Sequence, residues 1–107
     1  MNKNIINRIV ELTEPEKIIL FGSQAQGTGN INSDIDMLVL IEGVVNKRQM
    51  SQMLYKELMP FKVAIDLIID TPANYFKYKN EKSFIYYQID KTGKIVYEKH
   101  GKRIDLD

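Results

Sequence analysis

The sequence predicts an α/β (α+β) domain built on a small mixed β-sheet, with helices packed on one face. Three observations lead there. Four short apolar runs of strand length recur along the chain: KIILF, DIDMLVLI, VAIDLII and KIVYE. Between them lie segments whose apolar residues recur at helical spacing. Gly, Pro and Ser/Thr punctuate the boundaries as turn and cap chemistry requires.

The elements follow in order. Ile5, Ile6, Ile9, Val10 and Leu12 fall on one helical face, so Asn4–Thr13 is predicted as a short amphipathic helix ended by Pro15. Lys17–Phe21 is a strand, and Gly22 marks its end. The Gly-, Ser-, Asn- and Gln-rich stretch Gly22–Ser33 is predicted as a loop with room for one helical turn. Asp34–Ile41 is the second strand, broken at Gly43. Met50, Met53, Leu54 and Leu58 mark a helix over Lys47–Met59, closed by Pro60, and the Met50/Met53 spacing reads as core. Val63–Ile69 is the third strand. Thr71-Pro72 is an N-cap followed by Pro at the first helical position. A further helix is expected over Phe84–Lys91, with Ser83 as N-cap and Gly93 beyond its end. Lys94–Glu98 is the last strand, and His100–Asp107 is expected to be a loose polar tail.

The bulk properties narrow the function classes. At 107 residues the chain is read as one domain, 1–107. A net charge of +1 gives no electrostatic case for nucleic-acid binding. With no cysteine, disulfides and thiolate metal sites are excluded. The N-terminus does not read as a signal peptide. No apolar run approaches the ~20 residues of a membrane span, so the cytoplasm is the expected location.

The chemistry concentrates in residues 20–41. Gly22-Ser23 closes one apolar run, and after ten residues Asp34 and Asp36 open the next. Alternate strand residues share a face, so the two carboxylates point the same way, about 6.6 Å apart along the strand. Their mutual repulsion raises at least one pKa unless a cation sits between them. Hard oxygen ligands, with other positions left to water and phosphate, suit Mg²⁺. Asp66 lies mid-strand on the polar side of VAIDLII, where burial is costly unless the carboxylate is paired or metal-bound. If its strand neighbours the second strand, three carboxylates share one face and can hold two Mg²⁺ ions. Gly22 lets backbone approach a polyphosphate without a Cβ, and Ser23 can donate to its oxygens.

Together, Gly22-Ser23-x10-Asp34-x-Asp36 and Asp66 resemble the signature of the DNA polymerase beta-like nucleotidyltransferase superfamily. FGSQAQGTGNINSDIDMLVLIEG is similar to the minimal nucleotidyltransferase (MNT) proteins, and VAIDLIID to their third-carboxylate strand. The resemblance implies a nucleotidyltransferase-like fold and Mg²⁺-dependent transfer of a nucleoside monophosphate, AMP from ATP or another NTP. Gly22 and Ser23 would bind the triphosphate, and Asp34 and Asp36 the metal. Asp66 would be third ligand or general base. It also implies the antitoxin half of a pair with a HEPN-domain toxin, modified on a hydroxyl. Larger relatives carry a second, acceptor-binding domain; this chain leaves no room for one, so a partner chain is expected to complete the site. Homo-oligomerisation is left open.

One departure supports a second reading. Gln24 and Gln26 stand where family members often carry a basic residue, which suits an antitoxin that neutralises its partner by complex formation with weak or no catalysis. A third reading is a nucleotide-sensing regulatory domain. Each part also has a simpler reading. Gly22-Ser23 alone is a strand-end turn, the Asp34/Asp36 pair alone a solvated strand end, and Asp66 alone an ion-pair partner of a lysine. Asn30-x-Asn32-x-Asp34 begins like a calcium loop but has Ile35 and Ile41 where Gly and Glu are needed. No Gly-Lys-Ser/Thr or G-x-S-x-G pattern is present. Tyr75, Phe76, Tyr78, Phe84, Tyr86 and Tyr87 read as helix packing or as a partner-binding face. His100 reads as solvated, and the Lys99–Arg103 cluster is too short to argue for RNA.

Overall fold

The computed structural model describes residues 3–27 and 34–100. The elements run α1 (Lys3–Thr13), β1 (Lys17–Phe21), α2 (Gly22–Gln26), β2 (Ile35–Leu40) and α3 (Lys47–Leu58), followed by a 3₁₀ turn (Met59–Phe61). Then come β3 (Ile65–Asp70), α4 (Pro72–Tyr78), α5 (Ile85–Thr92) and β4 (Lys94–Glu98). The expected loop survives partly as α2, ended by Gly27 in the left-handed region. Residues 28–33 of that loop and 101–107 of the expected tail lie outside the described residues.

Local chemistry accounts for most boundaries. Asn46 caps α3 by accepting from the Gln49 N–H at 2.9 Å. Thr71 caps α4 as expected, its hydroxyl accepting from the Asn74 N–H at 3.1 Å. α1 ends at Glu14, held at φ 45, because Pro15 disfavours a right-handed helical conformation in the residue before it. The last helix begins one residue later than expected. Phe84, not Ser83, occupies its N-cap position and makes no side-chain cap bond. The Phe84 ring instead stacks on Tyr78, with centroids 4.6 Å apart and planes 3° from parallel.

The four strands form one mixed sheet in the order β3-β2-β1-β4. β1 is antiparallel to both neighbours, while β2 and β3 run parallel and are joined through α3. The small mixed sheet is as expected; the placement of helices on one face is not. Ile5, Ile9, Leu54 and Leu58 of α1 and α3 pack with Ile18, Met37, Val39 and Val96 on one side. On the other side Tyr75 of α4 and Tyr86 and Ile89 of α5 pack with Ile19, Leu38 and Leu40. β2 is therefore covered on both faces. Its unbroken run Met-Leu-Val-Leu reflects this, since a strand with one wet face would alternate. At the end of β2 away from its first residue, the chain turns at Gly43, which has φ +73 and open space where a Cβ would sit.

Candidate functional site

The polar residues of the motif gather at one end of the sheet. β1 reaches that end with its last residue, and β2 and β3 leave it with their first. In the β1–β2 ladder Phe21 faces Asp36, so Gly22 follows directly beside that carboxylate. Gly22 has φ +74, a conformation L side chains rarely adopt. The space its Cβ would fill is occupied by Oδ2 of Asp36. The two halves of the motif are thus packed against each other, backbone to carboxylate. Ser23 is the second residue of α2 and is half-buried.

Asp66 joins them, because its strand lies beside the second strand, and the pairing is parallel. Asp36 and Asp66 are direct partners across β2 and β3. Both lie on the face of Leu38 and Ile68, while Ile35, Ile65 and Leu67 turn to the opposite face. The Asp36 carboxyl is pushed above its ordinary value, first by burial, then by the charges of Asp66 and Asp34 and by a hydrogen bond with Asp66. Asp34 is exposed just before β2 begins. Among the described residues no three acidic, His or Cys side chains are gathered into a ready-made metal cage. The structure brings Asp36 and Asp66 into contact, with Asp34 close enough to repel Asp36 but not drawn into the pair. Magnesium fits this donor set: hard oxygens only, two of them held together against their own repulsion, beside a backbone cradle that a Cβ would fill.

The sequence reading missed Asp70, at the far end of β3. It is 3% exposed, the one buried charged side chain among the described residues. Lys47 Nζ donates to it at 2.8 Å, Asn74 Nδ2 at 2.7 Å and the Thr71 N–H at 2.8 Å, and the Tyr86 hydroxyl also donates. Burial pushes this carboxyl up, but the bonds from Lys47, Tyr86, Asn74 and Thr71 outweigh it and hold the pKa at about 2. The final Asp of VAIDLIID was the available signal. A cleft of about 450 Å³ floored by Ile19, Leu40, Ile89 and Ile95 lies elsewhere on that face, and the three motif carboxylates do not line it. His100 is largely exposed, as expected, with Nε2 3.5 Å from Glu16 Oε1.

The mixed sheet thus sets a Gly-Ser helix start against an in-register carboxylate pair. The chain belongs to the polymerase beta nucleotidyltransferase family, whose model matches residues 3–102. No curated protein matches at a significant level. Among solved structures, a chain of a toxin–antitoxin crystallised with AMP-PNP is similar at 24% identity and TM-score 0.66, over 94% of this chain and 76% of that one. A chain of a mutant MntA–HpeT toxin–antitoxin is similar at 22% identity and TM-score 0.65, over 94% and 76%. A Sulfolobus solfataricus protein described as a candidate nucleotidyltransferase aligns at 20% identity and TM-score 0.68, over 97% and 83%. At these identities the likeness is one of fold.

Proposed function

We propose that this protein transfers a nucleoside monophosphate, AMP from ATP, to a hydroxyl on a partner protein, as the antitoxin of a HEPN/MNT pair. The observation that carries the reading is the in-register pair Asp36–Asp66 with the Gly22 backbone packed on Asp36. The toxin–antitoxin and AMP-PNP context of the similar structures supports it. Asp34, Asp36 and Asp66 would hold Mg²⁺, two ions in the full site. When bound, the metal supplies charge neutralisation for the triphosphate and polarises the attacking oxygen.

The chain's own residues do the positioning. Gly22 admits the polyphosphate close to the main chain, and the Ser23 hydroxyl donates to a phosphate oxygen. Asp66, if not fully engaged as a ligand, takes the proton of the acceptor hydroxyl. The acceptor oxygen forms a new bond to the α-phosphorus, the α–β anhydride bond breaks, and pyrophosphate leaves. Most of the rate enhancement then comes from orientation and electrostatics. Asp34 and Asp66 are exposed, as access by an acceptor as large as a protein requires.

Gln24 and Gln26 favour a second reading, neutralisation by complex formation alone. One experiment separates the two. The purified chain, Mg²⁺ and α-labelled ATP are mixed with the protein encoded by the neighbouring gene. Label on that protein, lost in Asp34→Asn and Asp36→Asn, supports transfer. A tight complex with no label, and protection indifferent to both substitutions, sinks it. Asp66→Asn is expected to slow transfer about 10²–10⁴-fold, and a loss below about threefold counts against its role.

A further inference from the structure

From the last turns of α3, through the 3₁₀ turn, to the start of β3, the chain holds apolar side chains outward. Met59 is 73% exposed, Val63 42% and Tyr55 39%. Single exposed apolar residues are ordinary on a protein surface. These three differ because they line one hollow of about 390 Å³, together with Lys56, Leu58 and Ile65. Lys62 closes the turn in the left-handed region at φ 57, its N–H bonded to the Met59 carbonyl at 3.0 Å.

The hollow adjoins the candidate site by chain and by edge. Ile65 lines it, and the next residue is Asp66, directed to the opposite face. β3 is an outer strand of the sheet, so a body seated in the hollow wraps one strand to reach Asp66. The Leu67 N–H on this outer side bonds to the Tyr55 hydroxyl at 2.7 Å, which anchors the Tyr55 ring as a wall. Lys56 lines the hollow, and the exposed Lys62 directly precedes Val63 in the chain. Neither lysine has an ion pair among the described residues, whereas Glu57, next to Lys56 in the chain, is tied to Arg8 at 2.6 Å.

We infer that the hollow of Tyr55, Met59 and Val63 is the docking surface for the acceptor protein, which inserts an apolar side chain there and sets acidic residues against Lys56 and Lys62. The inference rests on the proposed transfer to a protein hydroxyl. It adds where the acceptor grips: around the β3 edge, so that its hydroxyl arrives beside Asp66. Aromatic and Met anchors within a polar rim are the usual composition of such a contact.

The test uses Met59→Glu, Val63→Glu and the pair Lys56→Glu/Lys62→Glu, each compared with the wild type. Transfer from α-labelled ATP to the neighbour-encoded protein is followed together with binding of that protein and of ATP by calorimetry. We expect the acceptor KM and complex Kd to rise about tenfold or more, a loss of roughly 1.4 kcal/mol, with ATP affinity and Tm unchanged. Met59→Gln, a gentler change, should weaken the complex in the same direction. Wild-type acceptor KM and Kd in the Met59 and Val63 variants overturn the docking surface and leave the transfer reading intact. Complex formation without any labelling overturns the transfer reading, and the surface then stands or falls on whether Met59→Glu disrupts that complex. A wild-type chain that neither binds nor labels the neighbour overturns both. If the chain alone sediments as a dimer and Met59→Glu makes it monomeric, the hollow is a self-contact and the inference fails.

Discussion

Gly22 combines two constraints in one position. Its φ of +74 excludes most side chains, and the Asp36 carboxylate fills the space a Cβ would take. Gly22→Ala should lower transfer at least about 100-fold and cost about 1–3 kcal/mol of stability, read from labelling rates and urea melts. Wild-type rates in that variant would show that the close packing is incidental to catalysis. The residue types were legible in the sequence, since Gly-Ser at a strand end and Asp at i, i+2 announce themselves by spacing. The contact between them was not, because it depends on the β1–β2 register that sets Phe21 opposite Asp36. Glu14 is the converse case, a non-glycine at φ 45. Glu14→Gly should stabilise the fold by about 0.5–1 kcal/mol, seen as a higher Tm.

At the level of elements, Asp70 ties β3 to α3, α4 and α5 through Lys47, Asn74 and Tyr86. Its folded pKa of about 2 lies below the ordinary 3.8. A depressed acid pKa contributes stability that is complete above the unfolded value and is lost as pH falls through the folded one. That contribution, on the order of 2 kcal/mol, should therefore fade between about pH 5 and pH 2. Tyr86→Phe should cost about 1–2 kcal/mol and move the acid-unfolding midpoint upward, measured by circular dichroism against pH. An unchanged midpoint would mean that Tyr86 does not help to hold the charge. Asp70 could not be placed from sequence. VAIDLIID announces a strand, but the partners that make its last residue a hub come from before and after it in the chain, brought close only by tertiary packing. The helix boundaries show the same limit on a smaller scale: Thr71 was legible as a cap, whereas Phe84 displaced Ser83 by stacking on Tyr78.

Across the whole molecule the two ends of the sheet carry opposite electrostatics. Asp36 has a raised pKa, the reverse of Asp70. Its contribution to stability is present at low pH and is lost as pH rises through its folded value, so at neutral pH the metal-free protein carries an unrelieved repulsion. Asp36→Asn should raise the metal-free Tm by a few degrees. Mg²⁺ should raise the Tm of the wild type and leave that variant unmoved, as read by calorimetry with and without chelator. A metal response that survives in Asp36→Asn would place the ion elsewhere. Strand existence could be read from apolar runs, but strand order could not, since nothing local says that β2 pairs with β1 on one side and β3 on the other. The two-sided cover of β2 was readable in principle from Met37–Leu40, four consecutive apolar residues with no polar face among them.

The turn at Gly43 lies at the opposite end of β2 from Asp36, with open space where a Cβ would sit and Val45, two residues on, almost fully exposed. It is a natural splice point. A peptide tag, a reporter or an entire folded module inserted there would project away from both the carboxylates and the Met59 hollow. The same geometry lets a lineage lengthen this turn without disturbing its chemistry.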